Sequence, residues 1–406
     1  MMSDILFLAH RIPYPPDRGD KIRSWNMLKH LAGLGRVHLA CFADDEADAR
    51  HLALLRAALG GRLGDAHVEV RRPNRLLAGA RAMTRGLPLS LTLFDSTAMR
   101  RFVDDLLARE DIGAIVAFSF QMAQFVPQDA GRRFVMDFVD MDSAKFADYG
   151  RSGTGSMAWL YRREARKVRA FERETAERAD VSLFVSEAEA TLFRREAAPR
   201  GADIRAVQNG IDLDFYDPSA AIPPAATGGG PLIVFTGQMD YRPNVEAVEA
   251  FARSGLPRIR AKRPEARFAI VGRKPVEAVA RLHGQGGVIV TGAVEDVRSW
   301  LKAADVVVAP LLLARGIQNK VLEAMAMARP VVASPAAFEG IDAEPGRDLL
   351  VPDDPAQAVI DLLGNPARRT ALGRAARARM EQAYRWDAKL ACLGELVGAA
   401  GPRAAA

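Results

Sequence analysis

Short β-branched segments alternate with longer helical segments along most of the chain, and this alternation constrains the fold more than any other feature. The first half contains six such segments: Ile5–Ala9, Val37–Phe42, Ala114–Ser119, Arg133–Phe138, Val181–Ser186 and Ile204–Asn209. The second half contains the segments LIVFTG, RFAIVG, VIVTG, VVVAP, PVVAS and LLVP. Strands separated by helices are typical of βαβ units, which build parallel sheets. The pattern therefore predicts an α/β fold.

A stretch rich in Pro, Gly and Ala divides the chain near its middle. Its sequence, DPSAAIPPAATGGGP, has neither helical nor strand periodicity and is typical of an interdomain linker. We therefore predict a first Rossmann-like domain at residues 1–217, a second at 218–383, and a C-terminal helix and tail at 384–406. Ligands of such sheets bind beyond the carboxyl ends of the strands, so we searched the loops that follow strands.

The composition is that of a globular protein. Of the 406 residues, 49% are hydrophobic and 26% are charged, close to the average for soluble proteins. Cys41 and Cys392 lie far apart in a chain without a secretory pattern, which argues against a disulfide framework. The N-terminus shows no basic leader, and the longest apolar run, Val306–Ala314, is about half the length of a membrane span. We expect a cytoplasmic protein.

The chain is basic, with a formal net charge of +6 and an isoelectric point near 9.5. Such a charge suits an anionic partner: nucleotide phosphates, acidic lipid headgroups or nucleic acid. Arginine outnumbers lysine by 47 to 9, which can equally reflect the base composition of the genome. Base-stacking aromatic residues interleaved with basic ones are not apparent, so we expect no nucleic-acid partner.

The segment Trp159–Asp180 departs from the alternating pattern, because it forms one long helix in which Arg and Glu are mixed with aromatic residues. One interpretation is a solvated helix with ion pairs between residues four apart. The other is a basic amphipathic face that rests on anionic lipid, which would give peripheral contact with the inner face of the cytoplasmic membrane.

The stretch RGIQNKVLEAMAMARPVVAS begins at Arg315 and follows the predicted strand VVVAP. Gly316 and Ile317 lie just before a helix whose free N-terminal amides can bind an anion. Arg315 and Lys320 add positive charge there. Glu323 lies one turn beyond Lys320 on the same face, where its carboxylate can accept hydrogen bonds from two vicinal hydroxyls, as a ribose presents them. The spacing favours a nucleoside diphosphate as ligand.

With VLEAMAMARPVVAS the chain resembles the family-4 retaining glycosyltransferases, whose signature reads roughly E-G-F-G … L-E-A-M-A-x-G-x-P-V-V-A. The resemblance implies the GT-B fold: two Rossmann-like domains that face each other across a cleft, and a C-terminal helix that crosses back to the first domain. It also implies that Glu323 binds the donor ribose. Arg315 stands where the family has the first of two glutamates. This difference indicates that an additional positive charge binds the diphosphate of the donor and that other residues recognise its sugar.

Other loops of the second half support the resemblance. TGAVEDVRSWLKAADVVVAPL resembles the family's base-binding turn, which implies nucleobase contacts from the backbone around Val294. FTGQMDYRPNVEAV stands at the loop in which an Arg and a Lys hold the donor phosphates; Gln238 occupies the first position and Arg242 lies near the second. Arg242 is therefore a candidate phosphate ligand, or else a solvated loop residue. Arg273 and Lys274 in VGRKP are further candidates.

The first half contributes two further candidate clusters. HRIPYPPDRGDKIR places Gly19 and Asp20 where the family has a glycine-rich loop that approaches the donor. This stretch is similar to a narrower group, the sugar transferases associated with bacterial exopolysaccharide and exosortase (PEP-CTERM) systems. FVMDFVDMDSAKF puts Asp140 and Asp142 where many family members have a histidine that contacts the sugar or acceptor. These aspartates are candidates to replace it; cation binding, or helix capping by Asp142, are the alternatives.

The resemblance implies transfer of a sugar from a nucleoside diphosphate sugar to a glycan or lipid-linked acceptor, with retention of configuration. Arg315, Lys320, Arg242 and the helix N-terminus would stabilise the leaving diphosphate, and no metal or other cofactor is expected. The six histidines show no zinc-ligand spacing, and Walker A and nucleophile-elbow motifs are absent. A sugar-nucleotide epimerase of the same fold and a non-enzymatic protein that binds anions or nucleic acid remain as alternatives.

Overall fold

The computed structural model describes residues 3–72, 74–128, 131–314 and 317–398, without the side chains of Arg75 and Ser152. The chain folds into two compact units, the first ending at Gln208 and completed by the segment that starts at Leu390, the second comprising Asn209–Lys389. The domain boundaries expected from the sequence lie after residues 217 and 383.

A parallel sheet of seven strands forms the centre of the first unit. The strands are β1 (Asp4–Ala9), β2 (Val37–Ala43), β3 (Leu63–Val70), β4 (Ile112–Phe118), β5 (Arg133–Val139), β6 (Val181–Phe184) and β7 (Ile204–Ala206). Their order in the sheet is β3-β2-β1-β4-β5-β6-β7. The helices around it are α1 (Gly19–Leu34), α2 (Glu46–Ala49), α3 (Leu52–Leu59), α4 (Arg75–Thr84), α5 (Leu89–Thr92), α6 (Thr97–Arg109), α7 (Asp142–Ser152), α8 (Gly155–Arg178) and α9 (Glu187–Glu196).

The continuous apolar runs of the sequence became the inner strands of this sheet. β2 is buried at every position, as expected for a parallel strand covered by helices on both faces. The sequence analysis missed β3, whose sequence LGDAHVEV is polar and which lies half-buried at the sheet edge. The predicted helix Trp159–Asp180 is α8, which begins four residues earlier, at Gly155.

The second unit is built on a parallel sheet of five strands. The strands are β8 (Leu232–Thr236), β9 (Arg267–Val271), β10 (Val288–Gly292), β11 (Val306–Ala309) and β12 (Val331–Ala333), and their order is β10-β9-β8-β11-β12. The helices are α10 (Arg242–Ala250), α11 (Leu256–Lys262), α12 (Glu277–Ala280), α13 (Val297–Ala303), α14 (Asn319–Ala326), α15 (Pro335–Phe338), α16 (Pro355–Gly364) and α17 (Pro366–Ala383). The predicted strand LLVP forms only isolated bridges, between Val332 and Leu350 and between Pro345 and Leu349.

Two short helices, α18 (Trp386–Leu390) and α19 (Cys392–Leu396), end the described chain. The second of them belongs to the first unit, where the Arg133 Nε donates a hydrogen bond to the Leu396 carbonyl oxygen at 2.8 Å. Across the described residues, no helix combines the length and the apolarity that crossing a membrane requires.

Helix α14 ends in a turn that α17 packs against closely. Ala328 adopts a left-handed φ of 54°, and the Arg329 amide donates to the Ala324 carbonyl at 2.9 Å, which closes a Schellman-type turn. Gly373 of α17 lies directly on this turn, since a Cβ there would be 2.2 Å from the Ala328 carbonyl oxygen. The glycine therefore sets the distance between α17 and the end of α14.

Gly373→Ala is expected to lower the free energy of unfolding by about 1–3 kcal/mol, because backbone must move to admit the methyl group. Gly33→Ala in α1 is the matched control: no atom lies within 4 Å of its added Cβ, so the better helix former should raise stability by up to ~1 kcal/mol. Urea unfolding of both variants measures the difference. Equal effects of the two substitutions would contradict the close contact.

Candidate functional site

The candidate site lies in the second unit, where the loops after β8 and β9 meet the N-terminus of α14. Gly237 and Gly272 follow these strands, and a Cβ on Gly272 would lie 1.6 Å from the Gly237 carbonyl oxygen. A Cβ on Gly237 would lie 2.8 Å from the Asn244 Nδ2 and 3.4 Å from the Lys320 Cε. The absence of a side chain at Gly272 lets the two loops touch, and its absence at Gly237 lets the backbone approach Lys320.

Lys320 is the second residue of α14 and is held by two neighbours. Its Nζ donates to the Asn244 Oδ1 at 2.7 Å and lies 4.9 Å from the centre of the Phe235 ring. Asn244 donates in turn to the Gln238 carbonyl oxygen at 2.9 Å. Burial lowers the pKa of Lys320 to about 8, although the charge of Glu323 opposes the shift. A partly desolvated ammonium group beside a helix N-terminus suits a diphosphate.

Glu323 lies one turn further along α14 and accepts a hydrogen bond from the Tyr216 hydroxyl. Burial raises the pKa of Glu323, against the opposing effects of Tyr216 and Lys320. Arg377 fixes this arrangement, because it donates to the Tyr216 carbonyl oxygen at 2.7 Å and to the Ala326 carbonyl oxygen at 2.9 Å. The structure thus adds Tyr216 to the pair that the helical spacing had brought together.

The turn between β10 and α13 is fixed by Asp296, which caps α13 by accepting from the Arg298 amide at 2.9 Å. The Arg298 guanidinium pairs with the same aspartate at 2.7 Å and lies 3.8 Å from the centre of the Phe215 ring. Val294 lies half-buried in this turn and packs against the hydrophobic core. A nucleobase contact from its backbone stays a prediction.

The predicted phosphate ligands of the β8 and β9 loops have other contacts in the structure. Arg242 is the first residue of α10, and its side chain is 86% exposed and paired with Glu246 at 2.7 Å. The Arg273 carbonyl oxygen accepts from the Met239 amide at 2.9 Å. Lys274 lies 4.0 Å from Asp240. The neighbour of Lys320 is instead Asn244, which the sequence analysis did not single out.

Arg315 and Gly316 lie outside the described residues. Ile317 is buried in the hydrophobic core of the second unit. Gln318 is the N-cap residue of α14, and its own side chain forms no capping hydrogen bond with the first amides of the helix in the part of the chain that the structure describes. Amides without a side-chain cap are what an anion-binding helix N-terminus requires.

In the first unit, Gly19 begins α1 and Asp20 follows it. Three basic side chains surround the Asp20 carboxylate: Arg11, His10 at 3.3 Å and Arg18 at 3.3 Å. Burial would raise the pKa of Asp20, but the hydrogen bond and charge of His10 and the two arginines hold it well below its ordinary value. The carboxylate is therefore ionised and orients the His10 ring.

Asp140 and Asp142 follow β5, after Val139, whose φ of 70° is unusual for a β-branched residue. Lys145 donates to the Asp140 carboxylate at 2.7 Å and to the Asp142 carboxylate at 3.3 Å. Burial would lower the pKa of Lys145, but the two aspartates raise it. The structure therefore brings the predicted pair together with a lysine that the sequence analysis did not include.

Capping by Asp142 is not what the structure shows, since the N-cap residue of α7 is Met141 and Asp142 is the first helical residue. Two other carboxyl groups accept from the free amides there: Glu189 from the Met141 amide at 2.8 Å and Glu172 from the Ser143 amide at 3.1 Å. Burial raises the pKa of Glu172 to about 8, so this group is mostly protonated at neutral pH.

Among the described residues, the group Asp4, His38 and Glu110 has ligand atoms close enough to hold a metal ion. The His38 Nδ1 accepts from the Asp65 amide at 3.0 Å, which leaves the proton of a neutral ring on Nε2. That nitrogen lies 3.0 Å from the Asp4 carboxylate and donates to it. Both ring nitrogens are thus used in hydrogen bonds, so the group is a structural contact.

Two parallel-sheet Rossmann-like units with a site at the strand ends define a GT-B fold, and solved structures of that fold cover nearly the whole chain. Sucrose-phosphate synthase from Thermosynechococcus elongatus matches 97% of this chain and 98% of its own, with a TM-score of 0.67 and 18% identity. HepE from Anabaena, in complex with UDP and glucose, matches 98% and 100%, with a TM-score of 0.68 and 14% identity. The predicted fold class is confirmed.

A family of known sequences matches part of the second unit. The family described as Glycosyl transferases group 1 matches residues 230–365, which include Lys320 and Glu323. A GDP-mannose-dependent monoacylated alpha-(1-6)-phosphatidylinositol monomannoside mannosyltransferase from Corynebacterium glutamicum is 31% identical over 147 residues. This match covers 32% of the chain and 39% of the length of that relative.

Proposed function

We propose that this protein is a glycosyltransferase that moves a sugar from a nucleoside diphosphate sugar to an acceptor hydroxyl. The observation that carries the proposal is the pair Lys320 and Glu323, one turn apart on α14 beside uncapped amides and close-lying glycine loops. The ammonium group and the amides suit a diphosphate, and the carboxylate suits the vicinal hydroxyls of a ribose. The family match over these residues and the UDP and glucose bound by HepE agree with it.

Transfer would proceed with retention of configuration and without a metal ion. The bond between the anomeric carbon and the diphosphate oxygen breaks, and the acceptor oxygen bonds to the same face of that carbon. The departing phosphate oxygen takes the acceptor proton, so no protein base is needed. Lys320, the α14 amides and the predicted ligands Arg315 and Arg242 would stabilise the charge on the leaving group.

We assign the remaining candidates to the sugar and acceptor. Asp140, Asp142 and Lys145 offer both acceptors and a donor to sugar hydroxyls, as does Asp20 with His10. The acceptor would be a glycan or a lipid-linked glycan, and the setting would be the synthesis of exopolysaccharide or another bacterial surface glycan in the cytoplasm, in line with the resemblance to the exosortase-associated transferases.

The proposal is tested by the melting temperature of the protein with a panel of UDP-, GDP-, ADP- and dTDP-linked sugars. We expect at least one to raise it, by binding the native state. When an acceptor is added, the nucleotide sugar that does so should transfer its sugar and release free nucleoside diphosphate. A shift with oligonucleotides alone would favour a nucleic-acid-binding protein, and conversion of the donor sugar without release of diphosphate would favour an epimerase.

Affinity for the nucleoside diphosphate should fall as the pH rises above about 8. The protonated form of Lys320 binds the anion, and burial lowers the pKa of that group to about 8, so the charge is present below this pH and is lost above it. Loss of one charge-assisted hydrogen bond corresponds to roughly a tenfold weaker affinity. Calorimetric titrations between about pH 6.5 and 9.5 measure this change in affinity.

Lys320→Arg is the control for this titration, because an arginine stays charged throughout the range and should give an affinity that changes little with pH. A wild-type affinity that is constant across the range would show that Lys320 does not contact the phosphates.

A further inference from the structure

The helices α7 and α8 form an antiparallel hairpin in the first unit, and its tip exposes large apolar side chains. Tyr149, Met157 and Trp159 are each 53% exposed. The hairpin tip, residues 149–159, also contains the exposed turn residues Gly153 and Thr154 but no acidic residue. Tyr and Trp have an apolar ring and a polar atom, which suits the boundary between water and lipid.

A groove between the same two helices adjoins the tip and is strongly basic. Its volume is about 570 Å³, and Trp159 lines it together with Arg151, Arg162, Arg166 and Arg169. We call these five residues the arginine groove. On α8 the members follow one another at intervals of three or four residues, so they form one stripe along the helix.

Two of the four arginines of the groove pair with protein carboxylates, and Arg162 and Arg166 do not. Arg151 pairs with Asp148, and Arg169 pairs with Glu196 at 2.9 Å. Arg162 donates to the Gly150 carbonyl oxygen at 3.3 Å, an uncharged partner. Within the ranges that the structure describes, no residue forms an ion pair or hydrogen bond with the Arg166 side chain.

The charged side chains exposed on this part of α8 are all cations. Between Gly155 and Arg173 the sequence contains two acids, Glu164 and Glu172, and both are buried. Glu164 accepts hydrogen bonds from the Leu89 and Ser90 amides at 2.9 and 2.8 Å, so its charge is used inside the unit. Between Gly155 and Arg173 both acids are therefore inside, together with Arg163, and the other arginines face outward; the exposed acids of α8, Glu174 and Glu177, lie nearer its C-terminal end.

We propose that the hairpin tip and the arginine groove bind the surface of a membrane that contains anionic phospholipids. The arginines would pair with lipid phosphates, and Trp159, Met157 and Tyr149 would enter the interface between headgroups and acyl chains. The combination of apolar side chains at the tip with a groove in which cations outnumber acids fits a lipid surface. The inference rests on the first unit alone and goes beyond the proposed glycosyl transfer.

The test is sedimentation of the full chain with vesicles of phosphatidylcholine, with and without roughly one third phosphatidylglycerol. We expect binding to the anionic vesicles only. Arg162→Ala/Arg166→Ala/Arg169→Ala should weaken it about a hundredfold, because each arginine near the surface contributes about 1 kcal/mol, or about fivefold. Trp159→Ser should weaken it roughly tenfold through the loss of apolar burial.

The matched control is Lys262→Ala/Arg368→Ala/Arg374→Ala, which removes the same charge from exposed positions of the second unit and should leave binding unchanged. Equal losses in the two triple variants, or none in the groove variant, would overturn the proposal. Release from vesicles by 10 mM inorganic phosphate or by an oligonucleotide would overturn it too, since the groove would then bind free phosphate or nucleic acid. Melting temperatures confirm that each variant is folded, and the nucleotide-sugar shift remains an independent readout of the second unit.

Discussion

Glu323→Ala is expected to weaken binding of the nucleotide sugar by roughly ten- to a hundredfold and to lower transfer at least as much. The carboxylate on α14 can accept charge-assisted hydrogen bonds from both vicinal hydroxyls of a ribose, and alanine accepts none. The fold should be intact, because Glu323 is only half-buried and its partner Tyr216 can bond to water instead. Calorimetric titration and a transfer assay measure the two losses.

Two further variants sharpen this result. Glu339→Ala removes an exposed carboxylate elsewhere in the second unit and should leave binding and transfer unchanged. Tyr216→Phe keeps the ring and removes only the hydroxyl that bonds to Glu323, so the loss should be smaller than with Glu323→Ala. Wild-type transfer by the Glu323→Ala variant would contradict the ribose assignment.

Asp137→Ala is expected to lower the free energy of unfolding by about 3–5 kcal/mol. The Asp137 carboxylate is fully buried and pairs with the Arg23 Nε at 2.8 Å, and Arg23, 1% exposed, also donates to the Val207 carbonyl oxygen at 2.7 Å. Burial raises the pKa of Asp137, and Arg23 opposes the shift. Removing the carboxylate leaves a buried guanidinium without this partner. Urea unfolding followed by circular dichroism measures the loss.

Glu246→Ala is the control for the buried pair, because it breaks an ion pair with the exposed Arg242. Exposed pairs contribute about 0–1 kcal/mol, so the variant should be close to wild type. A loss of less than 1 kcal/mol for Asp137→Ala would contradict the view that this ion pair links α1 to β5.

The alternation of apolar runs and helices was enough to predict the fold, because buried parallel strands have continuous apolar sequences that local patterning shows. The exception is β3, where an edge position tolerates Asp65, His67 and Glu69 and so removes the apolar signal. The segment LLVP shows the opposite case: its two leucines are buried and predicted a strand, yet only Leu350 pairs with a neighbouring strand.

The candidate site was predictable where it depends on one helix and not where it depends on distant loops. Lys320 and Glu323 are three residues apart, so helical geometry alone placed them on one face. Tyr216 and Asn244 contact Glu323 and Lys320 from segments that are far away in sequence. No local sequence pattern predicts such contacts. The signal that could have pointed to Asn244 is its place in the loop-to-helix segment after Gly237.

The cluster near Asp140 shows the same limit. The aspartates were visible as acids at a strand end, but Lys145 could have been noticed as well, since it lies in the first turns of the helix that follows. Glu172 and Glu189 come from two other helices and take the capping role that the sequence analysis had offered to Asp142. Only the packing of α8 and α9 on this strand end brings them there.

The most direct test of the donor site is a crystal structure of the protein with the nucleoside diphosphate that raises its melting temperature. We predict that the Glu323 carboxylate lies within about 3 Å of both ribose hydroxyl oxygens and that the Lys320 Nζ and the α14 amides contact the diphosphate. A nucleotide bound elsewhere, with Glu323 still hydrogen-bonded to Tyr216 and out of reach of the ribose, would contradict the assignment of this site.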